Sequence, residues 1–564
     1  MSDKGTDADV PGRHDRKWDT PRPEKVVVGL ARTLTSFLRV RELLNFAFGG
    51  DSHIRLVYVF DDGSAFRSWR AEWSAWYERV IWAPDEVRAL QYDLVVTASE
   101  NVDFRRWSGP ILVIPHGLGN HKTLPRAAPS GTALSGLPDP AALRTGRVTL
   151  VVTHPNQAAQ LHQTCPETIG HTVVAGDTSL AILLASNEPR HVELYRKVLG
   201  TSGRKLVLVM STWGNDSMLG AEFDVLLRLV AELPLERFQV GLVAHCNIWS
   251  RDGADELLRK VDKAMAAGLV LIKPGDWHAA LAAAHLVISD HGSCSLYAAM
   301  LGKPLLLGSF SDTEVVRDTP MFELGRVMPR LDLSKPIQPQ VQAAIVNADP
   351  ASAAEIRRTV VAPIDSGVQQ LRRLLYRLLR LVPQTVDEEV DAAPPPDPVA
   401  DPVCSWLVTG KCRRRKVKLS LFPARAGSVR TSESFWVSTE RERKPRIFNK
   451  SSVIFGPAPF GGGMDAWLSQ YNGHPYKIAA LAAGDGKCIA QVSDLGPYAN
   501  KRYVLTSKNG TLPFEMLPAV LLVAMISRQP HKVTGSYTIT LGPIKDTVVV
   551  KRVKWPRKLD ALGP

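Results

Sequence analysis

The 564-residue sequence is poor in cysteine, and none of its six cysteines forms a CxxC pair. The opening stretch MSDKGTDADVPGRHDRKW is polar and has no secretory h-region, so Cys165, Cys246, Cys294, Cys404, Cys412 and Cys488 are expected to be reduced cytosolic thiols. Cys404 and Cys412 lack zinc-ligand spacing, and no metal site is expected. No apolar run approaches the ~18 residues that span a bilayer. The longest, around Leu517–Ile526, starts beside Pro518 and reads as an internal helix. There is no GxxxxGK[ST], which argues against a P-loop nucleotidase, since Gly203-Arg204-Lys205 has the wrong spacing.

Charge of one sign is also scarce where it matters. Residues 403–564 hold 26 Lys and Arg against 9 Asp and Glu, a net +17. Residues 1–402 hold 43 against 47, a net −4. The basic character of the chain therefore belongs to its C-terminal part. An anionic membrane or nucleic acid is expected to be met there, making the protein cytoplasmic and membrane-peripheral.

What is present is a long alternation of strands and helices. Residues 1–24 are polar and read as a disordered leader. From Lys25, apolar runs at Val26–Ala31, Ile54–Phe60, Arg79–Trp82, Leu94–Ala98, Ile111–Ile114, Thr149–Thr153 and Thr172–Val174 read as strands. Helical spacing lies between several of them. It includes a segment over 65–79 whose Trp69, Trp73 and Trp76, with the nearby Trp82, are best explained by packing. A second unit follows, with strands at Leu206–Met210, Phe238–Ala244, Val270–Ile272, Leu286–Ser289 and Pro304–Leu307. This pattern predicts an α/β protein of two Rossmann-like domains, 25–200 and 201–383, with ligand bound outside the carboxyl ends of the strands.

The second unit closes on VQQLRRLLYRLLRLV (Val368–Val382), an amphipathic helix expected to dock its leucines and leave its arginines in solvent. Residues 384–402 are acidic and Pro-rich and read as a linker. Beyond them, 403–564 carries short alternating strands, Gly-rich turns and the basic run KCRRRKVKL, predicting a separate small β-rich domain with one apolar helix.

Chemistry is expected at the strand ends. Ile111–Ile114 runs into Pro115-His116-Gly117-Leu118-Gly119-Asn120, where His116 can accept a proton near neutral pH. Gly117 and Asn120 would form the acceptor-side loop. In the second unit, Ser211-Thr212, His245 and the turn Asp290-His291-Gly292-Ser293-Cys294-Ser295 all follow strands. Small residues feeding a helix N-terminus suit phosphate, and a neighbouring histidine can offset leaving-group charge.

The His-Gly after an N-terminal-domain strand, the strand-Asp-x-x-Ser-helix pattern and Leu301-Gly302-Lys303-Pro304 together resemble the GT-B glycosyltransferases. The resemblance is to the CDP-glycerol glycerophosphotransferase-like branch, over about residues 25–382. It implies a transferase that moves a glycosyl or glycerophosphate group from a nucleotide-activated donor to an acceptor hydroxyl, without a cofactor. His116 would be the base, and Asp290, His291, Gly292, Ser293 and Ser295 would hold donor phosphates beside Ser211, Thr212 and His245. The sequence departs from the branch at His291-Gly292, where Tyr-Ser is usual, and in lacking a basic residue after Ser211. Two alternatives share these features: a UDP-sugar 2-epimerase-like enzyme, and a non-catalytic nucleotide-sugar sensor with an anion-binding C-terminal domain.

Overall fold

In the computed structural model, residues 23–553 are described apart from 62–80, 83–84, 86, 88–90, 126–131, 202, 349, 364–365, 384–388, 428–432, 458–462, 485 and 528–532. The expected leader, the Trp-bearing helix over 65–79 and the start of the Pro-rich segment fall largely outside them.

Seven strands form the first sheet: β1 (Lys25–Ala31), β2 (Ile54–Phe60), β3 (Ile81–Trp82), β4 (Leu94–Thr97), β5 (Ile111–Val113), β8 (Val148–Val152) and β9 (Thr172–Val174). A two-stranded ribbon, β6 (Thr123–Pro125) with β7 (Thr132–Leu134), lies outside it. The sheet is parallel throughout, in the order β3-β2-β1-β4-β5-β8-β9. Its strands are continuous Val/Leu/Ile runs because both faces are covered, which removes any polar alternation.

The second sheet uses β10 (Lys205–Ser211), β11 (Phe238–Ala244), β12 (Val270–Ile272), β13 (Leu286–Ser289) and β14 (Leu305–Leu307), in the order β14-β13-β10-β11-β12. A short strand, β15 (Val399–Ala400), is added antiparallel to β12. Both sheets are thus doubly wound, and each reverses strand order beside its first strand: between β1 and β4, and between β10 and β13.

The amphipathic helix forms over Gly367–Leu379, but it buries Leu371, Leu374, Leu375 and Leu379 against the first sheet's helix Leu34–Phe48. The chain therefore crosses back to close the first domain. Gly176 makes this possible, since a Cβ there would lie 2.3 Å from the Val368 nitrogen. The expectation that all the arginines face solvent fails at Arg372. That side chain is buried, donates to the Ala47 carbonyl at 3.2 Å and lies over the Tyr376 ring.

Residues 389–402 lie along the second domain and the helices Thr178–Ser186 and Pro189–Val198, which pack on its helix Trp277–Ala283. Tyr195 donates to the Ala393 carbonyl, the Ala393 N–H donates to Ser186, and the Asp397 N–H donates to Asp276 before β15 joins the sheet.

The C-terminal region is not merely a small β-rich domain. It is a closed barrel of nine strands: β16 (Ser405–Arg413), β17 (Lys416–Pro423), β18 (Ser434–Thr439), β19 (Val453–Gly456), β20 (Ile478–Ala482), β21 (Lys487–Val492), β22 (Arg502–Ser507), β23 (Gly535–Leu541) and β24 (Ile544–Val553). The helix Leu517–Ile526 is the barrel's core, and its buried Leu and Val side chains are each stabilising by roughly 2 kcal/mol. A helix that is apolar all round needs such an enclosure.

One end of the barrel rests on the second domain. The Leu235 N–H donates to the Leu421 carbonyl, the Leu421 N–H donates to Glu236, and Gly542 abuts Glu236. At the opposite end the β16–β17 hairpin turns through Arg414 and Arg415, both at positive φ (48° and 63°). That turn normally selects Asn-Gly, and an L-side chain there costs on the order of 1 kcal/mol per residue. Among the described residues no helix is long and apolar enough to cross a membrane.

Candidate functional site

The loops at the two switch points face each other across one cleft of about 670 Å³. From the first sheet come Arg32, Thr33 and Thr35 after β1, Ser99–Asn101 after β4, and the His116 loop after β5. From the second come Ser211–Gly214 after β10, His245–Asn247 after β11, and Asp290 with Gly292–Cys294 after β13. Two doubly wound sheets thus turn their ligand-bearing edges toward one another across this cleft.

The two walls are tied together at the expected catalytic loop. The Leu118 N–H donates to the Ser293 hydroxyl at 3.1 Å, and a Cβ on Gly117 would lie 2.4 Å from that oxygen. Any side chain there would push the Ser293 hydroxyl from this position. A second tie joins 121–123 to 314–316: the Val316 N–H donates to the His121 carbonyl and the Thr123 N–H to the Glu314 carbonyl. His116 lines the cleft with its side chain 45% exposed, and its Nδ1 is 4.0 Å from the buried carboxylate of Glu100. Glu100 is held in turn by the Gly136 N–H at 3.2 Å.

Across the cleft, the helix Ser293–Met300 begins at the cleft wall with Gly292 at its N-cap. The Asp290 carboxylate is fully buried and already engaged. Its Oδ2 accepts from the Ser211 hydroxyl (3.0 Å), the Thr212 N–H (2.9 Å) and the Met218 N–H (3.0 Å), and its Oδ1 accepts from the Gly292 N–H (3.0 Å). Asp290 shapes the loops after β10 and β13. Ser211, engaged with Asp290, also accepts from the Leu219 N–H.

Two expected residues point elsewhere. His291 is buried, with Nε2 2.9 Å from Glu314 Oε2, and does not line the cleft; it positions Glu314, which does. Ser295 donates to the Asp290 carbonyl behind the turn. Asn120 and Gly117 are at the cleft, as is His245. The His245 Nδ1 accepts from the Asn247 N–H at 3.0 Å. Burial, with repulsion from His116 and Lys122, pulls His245 down to about 3 and keeps it neutral.

Several cleft residues had no sequence signal beyond proximity to a strand end. Lys122 follows the His116 loop and lines the cleft; burial pulls its ammonium below the ordinary value, while Asp290 and Glu314 hold it up. It is a cation on the first-domain wall of the same cleft. Trp213 is 44% exposed, with its ring centroid 6.5 Å from that of His245. Asn247 Oδ1 and His121 Nδ1 are buried without a hydrogen-bond partner among the described residues, and both side chains belong to the cleft lining.

At the base of the cleft Arg39 meets Asp177, Ser179 and Glu42, and Tyr297 from the second domain donates to Asp177 at 3.0 Å. Burial alone would lower the Arg39 pKa, but Asp177, Tyr297 and Glu42 raise it above its ordinary value. Burial pushes Glu42 up.

No family model and no curated protein matches the chain. Among solved structures it is similar to the wall teichoic acid polymerase TagF, at 12% identity and a TM-score of 0.41 over 64% of this chain and 89% of that one. It is also similar to S. aureus MnaA in a co-structure with UDP, at 13% identity and a TM-score of 0.41 over 65% and 99%. A UDP-N-acetylglucosamine 2-epimerase aligns at 13% identity and a TM-score of 0.37 over 63% and 96%.

Proposed function

We propose that the cleft binds a nucleotide-activated donor and transfers its glycosyl or glycerophosphate group to an acceptor hydroxyl, with His116 as general base. The observation that carries this is the placement of His116, 4.0 Å from Glu100, on the loop whose Gly117 and Leu118 contact Ser293 at the N-terminus of the helix Ser293–Met300, both lining one cleft. A proton acceptor and a phosphate-stabilising terminus thus face one space.

In this reading the donor's phosphates lie at Ser293 and Cys294, with Lys122 neutralising their charge. The base lies against Trp213 near His245. His116 takes the acceptor's hydroxyl proton as the acceptor oxygen bonds to the transferred group, and the bond from that group to the nucleotide breaks. The electron pair leaves on phosphate oxygen, where the helix terminus and Lys122 stabilise it.

The test begins with CDP, UDP, GDP and ADP forms of activated donors read by thermal shift, where ligand at 100 Kd stabilises by about 2.7 kcal/mol. His116→Ala is then expected to keep donor affinity and lose roughly 10²–10⁴-fold in turnover. Activity within twofold of wild type would remove His116 from the mechanism. Binding with no turnover on any donor would make the cleft a sensor, and epimerised sugar with no acceptor consumed would make it an epimerase.

A further inference from the structure

The barrel has two unlike ends. The end on the second domain carries Leu421, Pro423 and the Gly542 turn. The strand registers bring a different set together at the opposite end. Arg413 pairs with Lys416 across the hairpin, and the tip is Arg414-Arg415. Gly535 at the start of β23 lies against the Arg415 guanidinium, and Val553 ends β24 opposite Arg502 of β22. Lys501, Lys551 and Arg552 therefore lie around the same rim, joined by Lys477 at the start of β20. Arg413, Arg414, Lys416, Lys477, Lys551 and Arg552 are exposed. Of the described acids near this rim, Asp465 is paired with Arg502 and Glu433 with Lys411, and Asp494, exposed, follows β21; the cations named above outnumber them.

This arrangement works against the barrel's own stability. Arg413 faces Lys416, and Lys411, which is ion-paired with Glu433, faces Lys418, so the hairpin carries two like-charge cross-strand pairs of which one is offset, and the turn places two arginines where glycine is favoured. The same end also exposes an apolar side chain. The barrel's core helix runs toward this rim and ends at Ile526, which is 46% exposed, while Leu517–Ala524 are buried and Met525 is half-buried.

We propose that this end of the barrel docks the protein on an anionic lipid bilayer, the rim cations meeting headgroup phosphates and Ile526 entering the interfacial layer. The cations are spread around the mouth of a closed barrel and not along a groove, so a plane engages them together where a single nucleic-acid strand follows only a few. An exposed isoleucine amid cations also gains from an acyl boundary and gains little from phosphodiester.

The test uses the full-length chain and sedimentation with vesicles of phosphatidylcholine alone or with 30% phosphatidylserine. Wild type is expected to partition onto the anionic vesicles only, and to be released as salt rises from 50 to 500 mM. Arg413→Gln/Arg414→Gly/Lys416→Gln, in which the glycine also relieves the turn, is expected to melt no lower than wild type and to partition roughly 10²-fold less. Ile526→Ser is expected to weaken partitioning severalfold without altering its salt dependence. Arg259→Gln/Lys263→Gln, on the second domain, is expected to bind as wild type. Equal binding to neutral vesicles, retained binding in the folded triple variant, or an oligonucleotide bound in preference to anionic vesicles would each overturn the proposal.

Discussion

Removing the Asp290 carboxylate tests whether this residue builds the cleft or touches its ligand. Both oxygens are committed to Ser211, Thr212, Met218 and Gly292. In Asp290→Ala three backbone N–H groups, those of Thr212, Met218 and Gly292, lose their acceptor in a buried site. Ser211 keeps a second acceptor in the Thr212 carbonyl. Each unsatisfied buried donor costs about 1–3 kcal/mol, and water entering from the cleft keeps the sum near the low end, at about 3–5 kcal/mol.

Asp290→Asn retains one acceptor oxygen. Its least costly orientation keeps that oxygen on the Thr212 and Met218 side and turns its amide toward the Gly292 N–H, for a loss of about 1–3 kcal/mol. Urea unfolding followed by tryptophan fluorescence should order the three proteins wild type, Asn, Ala, with donor affinity falling in the same order. An alanine variant within 1 kcal/mol of wild type, or one that binds nucleotide more tightly at unchanged stability, would refute the assignment. The second result would mean that the carboxylate merely repelled phosphate.

Gly117→Ala should displace Ser293, break the Leu118 hydrogen bond and reduce nucleotide affinity at least tenfold by calorimetry, because its Cβ would lie 2.4 Å from the serine oxygen. Asp177→Asn should destabilise by about 3–5 kcal/mol in urea, since it leaves the buried Arg39 charge short of its partner. His121, buried and pulled to about 3 against an ordinary value of 6.5, binds its proton in the unfolded chain first. Its stabilising contribution is complete above pH 6.5 and falls by about 2 kcal/mol between pH 6.5 and 5, with His245 adding in the same direction. Melting temperatures at pH 7.5 and 5.0 should show the drop, and His121→Gln should lessen it. Ser293→Asp should weaken nucleotide binding by placing a carboxylate at the phosphate position while the fold persists, as circular dichroism would show. Unchanged affinity would put the phosphates elsewhere.

The individual strands of both sheets could be read from the sequence because a parallel strand covered on two faces is a short unbroken apolar run. Ile54–Phe60, Phe238–Ala244 and Leu286–Ser289 appear in the structure with the predicted ends. The strand-end positions of His116, Ser211, His245 and Ser293 follow from that alone, since a residue just past a parallel strand must lie at the ligand-bearing edge. The apolar Leu517–Ile526 likewise had to be enclosed, although nothing local says that nine strands close around it.

Tertiary structure alone decided the rest. Lys122 lines the cleft beside Asp290 and Glu314 because 121–123 pairs with 314–316, and Arg39, Asp177 and Tyr297 meet although more than a hundred residues separate each from the next. Arg372 looks like one more solvent-facing cation in its helix, yet the crossing back onto Leu34–Phe48 buries it over Tyr376. Periodicity along a chain reports how each segment divides between core and solvent. A charge that is buried against a distant partner leaves no period behind, so its place emerges only when the two sheets and the crossing helix are packed together.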